Sequence, residues 1–363
     1  MGVGVLVAYL GTFLSLALVR YALAGQRMLL TLAYPLTFAA LFAFAAFRFE
    51  VGCDWTGYWV HFSHVSYDEF VLSEMGSDHA WWLLVDAVEA AGLPYPALYV
   101  AVTAIFMWGA HRMARREPDP LGYLMLLFPV LMLNIVMSGA RQAVATGFAF
   151  MAYNAFRDRS VVRFCAMVGA GAMFHSSCAV LLLMAPLITE RVTARRILLS
   201  AALALPGVFF LVTSEVGQIA AERYVGTAVN AAGAWLRVGF LASTGAVFFL
   251  VLRPSWRARF PGDLALATIG AAGALVALAV IPLSSVIADR LAYYAVPLQA
   301  MILARIPFLD LGRLRPVTVA YPWVGSVALL AIWLTFSSLV YVCYVPYRSW
   351  MFGFPEGADL LWP

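Results

Sequence analysis

The chain contains no lysine and few charged residues of any kind. All 23 of its basic side chains are arginine, and charged residues make up only 12% of its 363 residues. A soluble domain carries about a quarter charged residues. Hydrophobic residues make up 64%, and the mean hydropathy is +0.88. This composition excludes an ordinary soluble fold, because nearly all the apolar surface must face lipid or other membrane segments.

The sequence also lacks the motifs of many soluble enzymes. It has no glycine-rich nucleotide-binding loop and no carboxylate cluster typical of a metal site, so we expect no cofactor and no metal. The net charge of +4 comes from arginines in membrane loops and gives no reason to expect nucleic acid. The cysteines are scattered without metal-ligand spacing, and we interpret them as small buried hydrophobic residues. They are Cys53, Cys165, Cys178 and Cys343.

Apolar runs, mostly of roughly 17 to 22 residues, recur along the chain. A helix of this length crosses about 30 Å of hydrocarbon. The alternation of barrel strands is missing, and helices are the other structure that satisfies the backbone in lipid. We therefore predict an all-α, polytopic transmembrane helical protein with about 12 spans, in a range of roughly 10 to 13. A single integral membrane domain covers residues 1–363. The spans are placed near residues 3–19, 28–47, 96–112, 121–138, 142–156, 161–174, 176–189, 197–213, 235–252, 264–284, 291–306 and 321–342.

Six short connections between these spans hold 17 of the 23 arginines, all on one side of the membrane. That side is the cytoplasm by the positive-inside rule, so both termini are predicted to lie outside. The largest exterior segment covers residues 48–95, and a second exterior loop covers residues 214–234. Within the first segment we predict a short amphipathic helix near residues 79–91 that lies in the membrane interface.

The other six arginines lie off the cytoplasmic face: Arg48, Arg141, Arg223, Arg237, Arg290 and Arg348. An ionisable group at the edge of the hydrocarbon is costly and is therefore a functional hypothesis. Arg48, Arg141, His175 and Arg290 come from four separate connections that are all assigned to the outer side. We expect them to converge in one exterior cavity. Arginines there would suit phosphate or pyrophosphate, because a guanidinium group donates two hydrogen bonds at once and keeps its charge.

Each of these residues also has a structural explanation. Arg48 would be a membrane-edge arginine paired with Glu50 or Asp54, and Arg141 a helix-end arginine that contacts lipid phosphate. A lone histidine such as His175 is more often a satisfied structural residue. Asp289, beside Arg290, fits a helix cap, and tyrosines near helix ends commonly anchor the interface.

Several of these stretches resemble the EpsG family of bacterial exopolysaccharide biosynthesis proteins, which are regarded as Wzy-like polysaccharide polymerases. The similar stretches follow the family's order through nearly the whole chain. They are the segment from Phe47-Arg48 to Tyr58 with Val51-Gly52 and Asp54, then Gly139-Ala140-Arg141-Gln142-Ala143, Phe174-His175-Ser176-Ser177, Asp289-Arg290-Leu291-Ala292-Tyr293-Tyr294 and Tyr344-Val345-Pro346-Tyr347-Arg348. The chain departs from the family pattern at Glu50, Cys53 and Trp55, which bears on sugar specificity more than on reaction class.

The resemblance implies an exopolysaccharide or O-antigen-type polymerase, a glycosyltransferase of polysaccharide, capsule or biofilm synthesis. It would transfer a glycan from a polyprenyl-pyrophosphate donor to the sugar hydroxyl of another lipid-linked repeat unit. The active face would be the periplasmic side of the bacterial inner membrane. The implied partners are the polyprenyl-pyrophosphate-linked oligosaccharide and the lipid bilayer, with a flippase and a chain-length regulator of the same pathway as further candidates.

In this reaction Arg141 and Arg290 would stabilise the leaving pyrophosphate without a metal. His175 and Asp54 are both candidates for the base that activates the acceptor hydroxyl. The candidates for substrate binding are Arg48, Gln142, Tyr58, Asp289, Tyr293 and Tyr294.

Other functions fit the same sequence. A transporter or flippase of lipid-linked oligosaccharide is the main alternative from another class, although such proteins usually carry internal repeats and polar residues near the middle of the membrane. An O-antigen ligase would use the same cavity. A non-catalytic partner in an assembly complex is a third alternative, and it predicts that the arginines are replaceable.

Overall fold

The computed structural model describes residues 6–23, 26–63, 78–189, 193–213, 231 and 233–354, and these are mostly helical. The α-helices are α1 (Thr12–Ala22), α2 (Arg27–Ala46), α3 (Trp55–Phe62), α4 (His79–Ala90), α5 (Ala97–Ala114), α6 (Pro120–Leu127), α7 (Ala140–Arg157), α8 (Val161–Ala172), α9 (Ala194–Thr213), α10 (Ala234–Val247), α11 (Arg253–Arg259), α12 (Leu264–Val280), α13 (Ser285–Arg305), α14 (Arg315–Phe336) and α15 (Ser338–Cys343). π-Helical segments precede α1 (Leu6–Gly11), extend α6 (Phe128–Val136) and join α10 to α11 (Phe248–Leu252). Short 3-10 helices cover Pro261–Asp263, Ile306–Phe308 and Gly312–Leu314.

Among the described residues, five helical segments are long and apolar enough to cross a membrane. They are Met28–Ala46, Ala234–Arg259, Pro261–Val280, Ser285–Phe308 and Gly312–Phe336. Shorter apolar helices cover Ala8–Ala22, Pro120–Val136, Val161–Ala172 and Ser176–Leu187. The prediction of an all-α membrane protein is therefore confirmed. The number of about 12 crossings and the exterior position of both termini stay predictions, and most of the predicted exterior loop 214–234 lies outside the described residues.

The seventh predicted span is a 3-10 helix, Ser176–Leu187, rather than an α-helix. Its 12 residues extend about 24 Å at about 2.0 Å per residue, whereas an α-helix of the same length extends about 18 Å. This geometry lets a short apolar run approach the thickness of the hydrocarbon.

The interior of the protein is built around α6 with its π-helical extension and around α13. Most residues of these segments are buried by neighbouring helices. α5 packs along α7, and a Cβ added to Gly109 would lie 2.1 Å from the carbonyl oxygen of Gly147. Glycine is therefore required at this crossing, as is common where membrane helices approach closely.

A small clasp joins the segment after α2 to the segment after α15. Arg48–Phe49 (β1) pairs antiparallel with Arg348–Ser349 (β2), and Cys53 forms a disulfide with Cys343. The interpretation of these two cysteines as buried hydrophobic residues is wrong, because the fold brings together sulfurs that lie 290 residues apart in the sequence. Disulfides persist in oxidising compartments, so this pair supports the exterior assignment of this face.

Gly52 lies inside this clasp and has a backbone φ of +108°, a conformation that favours glycine. A Cβ added there would lie 1.7 Å from the carbonyl oxygen of Met137, in the turn before α7. The backbone N–H of Gly52 also donates a 2.7 Å hydrogen bond to the carbonyl oxygen of Cys343. The glycine therefore lets the segment that carries Asp54 pack against the turn that leads into α7 and Arg141.

The opposite, predicted cytoplasmic, ends of α7 and α13 carry a buried ionic network. Glu117 accepts hydrogen bonds from Arg157 at 3.0 Å and from Arg305 at 2.6 and 3.1 Å. Asp263 contacts Arg157 at 2.8 Å and Arg305 at 2.7 Å. From the sequence, Arg157 and Arg305 are expected only to set the topology. In the fold they also join α7 to α13. They do so through Glu117, which lies between α5 and α6, and through Asp263, which directly precedes α12.

α4 (His79–Ala90) lies in the predicted exterior segment, close to the predicted range of residues 79–91. Trp81, Trp82, Val85 and Val88 form its buried face, so both tryptophans point into the protein. The position of this helix relative to the membrane interface stays a prediction.

Candidate active site

Arg141 lies in the first turn of α7, at the predicted exterior end of that helix. Its Nη1 atom lies 3.0 Å from Oδ2 of Asp78, the buried residue that precedes α4. The backbone N–H of Arg141 donates a 3.3 Å hydrogen bond to the hydroxyl oxygen of Tyr58 in α3. The charge-assisted bond to Asp78 restrains the guanidinium group of Arg141. Three segments that are distant in the sequence therefore meet at Arg141.

Arg290 lies in the second turn of α13, beside the start of α7. The side-chain amide of Gln142 donates a 2.9 Å hydrogen bond to the carbonyl oxygen of Arg290. α13 begins directly after Ser284, whose hydroxyl accepts a 3.3 Å hydrogen bond from the backbone of the first turn. The helix starts earlier than predicted, so Asp289 lies inside it and Ser284 provides the cap in its place.

His175 lies between α8 and the following 3-10 helix. Its Nδ1 atom lies 2.6 Å from the hydroxyl of Ser177, and that hydroxyl lies 3.0 Å from the hydroxyl of Tyr294 on α13. The pKa of His175 is lowered to about 3, first by burial of the ring and then by the positive charges of Arg290 and Arg141. The imidazole is therefore neutral near pH 7 and is oriented by Ser177.

Asp54 precedes α3 and is exposed. The guanidinium groups of Arg141 and Arg290 and the side chain of Ser138 all lie near enough to act on its carboxylate. The same two arginines act on His175. The structure therefore brings together four residues that the sequence analysis selected as catalytic. We call Asp54, Arg141, His175 and Arg290 the arginine cluster.

Arg48 does not join the arginine cluster. It is completely buried, and it donates hydrogen bonds of 2.6 and 3.1 Å to carbonyl oxygens at the end of α2 and in the next loop. Its guanidinium carbon lies 3.9 Å from the centre of the Tyr99 ring. The alternative of an ion pair with Glu50 or Asp54 is also wrong. Two nitrogens of Arg48 bond backbone carbonyl oxygens, the third has no hydrogen-bond partner among the described residues, and Glu50 pairs with Arg348 at 2.5 Å. Arg48 instead secures the loop that leads to the cluster.

Asp289 binds Arg237 of α10 rather than its neighbour Arg290. Nε and Nη2 of Arg237 lie 3.0 and 2.6 Å from the two carboxylate oxygens, which is a bidentate arrangement. The Tyr293 hydroxyl donates a 2.8 Å hydrogen bond to the same carboxylate. This unit fixes α10 beside the part of α13 that carries Arg290.

The tyrosines predicted to bind substrate are buried in this structure: Tyr58, Tyr293 and Tyr294. Their hydroxyls contact, respectively, the backbone of Arg141, the carboxylate of Asp289 and the hydroxyl of Ser177. They position the residues around the cluster, and direct contact with a sugar ring stays a prediction. The amide of Gln142, another predicted substrate-binding group, is likewise used within the protein.

Asp78 and Arg237 are not among the site residues predicted from the sequence. Arg237 was among the six arginines off the cytoplasmic face, and that signal was sufficient to include it. Asp78 precedes a helix, and nothing in its local sequence indicates a partner such as Arg141, 63 residues away. Within the described ranges, no group of three or more histidine, cysteine, aspartate or glutamate side chains is placed to hold a metal ion.

The fold and the cluster define a class of protein: a helical membrane protein with arginines, a carboxylate and a neutral histidine gathered at the predicted exterior ends of its helices. The chain belongs to the EpsG family, whose model matches residues 31–349. That range includes every residue of the arginine cluster. The family is associated with exopolysaccharide biosynthesis and polysaccharide polymerase activity. Comparisons with curated proteins and with solved structures give no match.

Proposed function

We propose that the protein is a polymerase that transfers a glycan from a polyprenyl-pyrophosphate donor to the sugar hydroxyl of a second lipid-linked repeat unit. The reaction takes place at the outer face of the bacterial inner membrane. The observation that carries the proposal is the placement of Arg141 and Arg290 near one exposed carboxylate, Asp54, in a chain of the EpsG family.

Arg141 and Arg290 stabilise the leaving group in this reaction. The acceptor hydroxyl oxygen forms a bond to the anomeric carbon of the donor, and the bond between that carbon and the pyrophosphate oxygen breaks. Negative charge develops on the departing oxygen, and fixed guanidinium groups stabilise such charge strongly in a site that excludes water. Because these cations belong to the protein, we expect glycan transfer to continue when divalent metals are removed.

Asp54 is the better of the two candidates for the proton acceptor. Asp54 is exposed, whereas the Nδ1 atom of His175 is already engaged with Ser177. A group with a pKa near 3 is also a weak base, because general-base catalysis is most efficient when the pKa lies near the working pH. We therefore assign proton acceptance to Asp54 and orientation of the acceptor sugar to the neutral His175.

The test is chain extension by the purified protein in lipid vesicles supplied with lipid-linked repeat units. We expect Arg141→Ala and Arg290→Ala each to reduce kcat by about 100- to 1,000-fold, the usual cost of removing one group that stabilises developing charge. Arg116→Ala is the control, because Arg116 forms an exposed ion pair with Asp158 on the opposite face. His175→Ala should also reduce extension.

Undiminished extension in all three site variants would overturn the assignment of the site. Failure of the intact protein to extend any lipid-linked glycan, together with movement of that glycan across vesicle membranes, would favour a flippase. Transfer only to a lipid acceptor that is not itself a repeat unit would favour a ligase. Removal of divalent metals with EDTA in the same assay tests whether the arginines suffice.

A further inference from the structure

A cavity of about 210 Å³ lies beside Arg237, outside the arginine cluster. It is enclosed by the π-helical extension of α6, the start of α10 and the end of α14, all at predicted exterior ends of helices. Leu236, Leu329, Ile332 and Phe336 contribute apolar walls. Phe336 and Leu236 are exposed at 80% and 44%, so the cavity opens sideways to the surroundings of these helices, where the bilayer would lie.

The polar side of the cavity is formed by Asn134, Arg237, Ser337 and Ser338. Arg237 uses Nε and Nη2 to hold Asp289, and its third nitrogen, Nη1, points towards Gly233, another residue of the cavity lining. Since Asp289 balances the charge of Arg237, the apolar walls rather than the cation decide the occupant, and they match the hydrocarbon chain of an amphiphile.

The size of the cavity narrows the choice of occupant further. Cavities that enclose most of a small ligand usually measure about 300 to 1,000 Å³. A cavity of about 210 Å³ is too small for a repeat-unit glycan. It suits a segment of a long, flexible, apolar chain that enters from the side.

Arg237 also connects the cavity to the arginine cluster. Its partner Asp289 is the residue before Arg290, and the buried Tyr344 lies within electrostatic range of both Arg237 and Asp54. The ion pair between Arg237 and Asp289 therefore joins the lining of the cavity to the helix turn that carries Arg290.

We propose that this cavity, lined by Asn134, Leu236, Arg237 and Ile332, binds the first isoprene units of the polyprenyl chain of the lipid-linked donor. The proposal deepens the proposed function and rests on it. The arrangement leaves the distal part of the chain in the bilayer, so the protein recognises only the part of the chain nearest the pyrophosphate.

A photo-crosslinking experiment tests the site without any need for catalysis. A photoreactive phenylalanine analogue replaces Ile332 in the full chain, which is then reconstituted with radiolabelled undecaprenyl pyrophosphate. The control places the same group at Leu250, which is 82% exposed at the other end of the helical segment that carries Arg237. We expect capture at Ile332 that unlabelled undecaprenyl phosphate suppresses and excess phospholipid does not, with capture at Leu250 near background.

Equal capture at Ile332 and Leu250, or suppression by phospholipid as strong as by undecaprenyl phosphate, would show an ordinary bilayer contact and overturn the proposal. Absence of capture at Ile332 would also overturn it. These outcomes do not depend on polymerase activity, so they are distinguishable from a failure of the proposed function.

A second experiment measures KM for the donor in the extension assay. Ile332→Trp fills the cavity, and Leu250→Trp is the control. A 10-carbon chain already contains the isoprene units nearest the pyrophosphate, so we expect KM for a 10-carbon donor and KM for a 55-carbon donor both to rise by about tenfold in Ile332→Trp, because a few buried CH₂ groups are displaced. An unchanged KM in Ile332→Trp would contradict the proposal, and absence of extension by the intact protein would contradict the proposed function instead.

Discussion

The side-chain amide of Gln142 donates a 2.9 Å hydrogen bond to the backbone carbonyl of Arg290, across 148 residues of the chain. Gln142 directly follows Arg141 at the start of α7, so the bond joins the two backbone segments that carry the arginines of the cluster. An amide that carries no charge therefore contributes to the relative placement of the two guanidinium groups.

Gln142→Leu is expected to reduce kcat for chain extension by about 10- to 100-fold, because small displacements of catalytic groups have effects of that size. The free energy of unfolding should fall by only about 1 kcal/mol, the usual net value of one hydrogen bond. Gln299→Leu is the control, since the amide of Gln299 makes similar bonds from α13, to Thr244 and to the carbonyl of Phe240. Equal losses of activity in both variants would contradict the positioning role.

The low pKa of His175 predicts how activity depends on pH. The imidazole gains a proton only near pH 3, so the pH profile of kcat/KM should show no inflection from this residue between about pH 5 and 8. In the unfolded chain the same group would gain a proton near pH 6.5, so its contribution to stability should decrease as the pH falls from 6.5 towards 3. An inflection near pH 6.5 that disappears in His175→Asn would contradict this prediction.

The disulfide between Cys53 and Cys343 is expected to contribute about 2 to 4 kcal/mol to the free energy of unfolding. Cys53→Ser, Cys343→Ser and the double variant should lose similar amounts of thermal stability, because each removes the same bond. Cys165→Ser is the control, as Cys165 is a free cysteine. A double variant that loses the sum of the two single losses would show that the cysteines act separately.

The same cysteines test the orientation of the protein in the membrane. After mild reduction of intact cells, a membrane-impermeant maleimide should label Cys53, which is exposed. Labelling of the Cys343→Ser variant without a reductant should give the same result. Labelling only after permeabilisation would place this face, and the arginine cluster with it, on the cytoplasmic side.

Glu117→Gln is expected to destabilise the protein by about 3 to 5 kcal/mol, because it removes a buried negative charge that Arg157 and Arg305 share. Thermal unfolding in detergent measures the change. Asp158→Asn is the control, since its ion pairs with Arg116 and Arg163 are largely exposed and should contribute about 0 to 1 kcal/mol. Similar losses in the two variants would contradict the importance of burial.

The sequence predicted the helices well because apolar run length is a local property. Every predicted span range contains a helix in its described part. The short helix α4 also lies close to its predicted range of residues 79–91. The members of the arginine cluster were also found from the sequence, because charged residues at the ends of apolar runs are conspicuous. The start of α13 was predicted several residues late, since a polar first turn does not continue the apolar run.

Contacts between distant segments were not accessible in the same way. Arg48 occupies a short motif together with Asp54, yet the fold buries Arg48 against Tyr99 and leaves Asp54 exposed near Arg141 and Arg290. The motif fixes which residues are close in the chain, but the direction of each side chain depends on how α2, α3 and α5 pack.

The sequence by itself determined the membrane class, the helical ranges, the predicted orientation and the residue types available for a phosphate-binding face. These follow from hydropathy and charge, which are summed along the chain. Only the tertiary structure decided that Arg141 pairs with Asp78, that Asp289 holds Arg237 and that Cys53 bonds Cys343. Each of these contacts joins residues that lie 52 to 290 positions apart, and such pairing is set by helix packing rather than by local sequence.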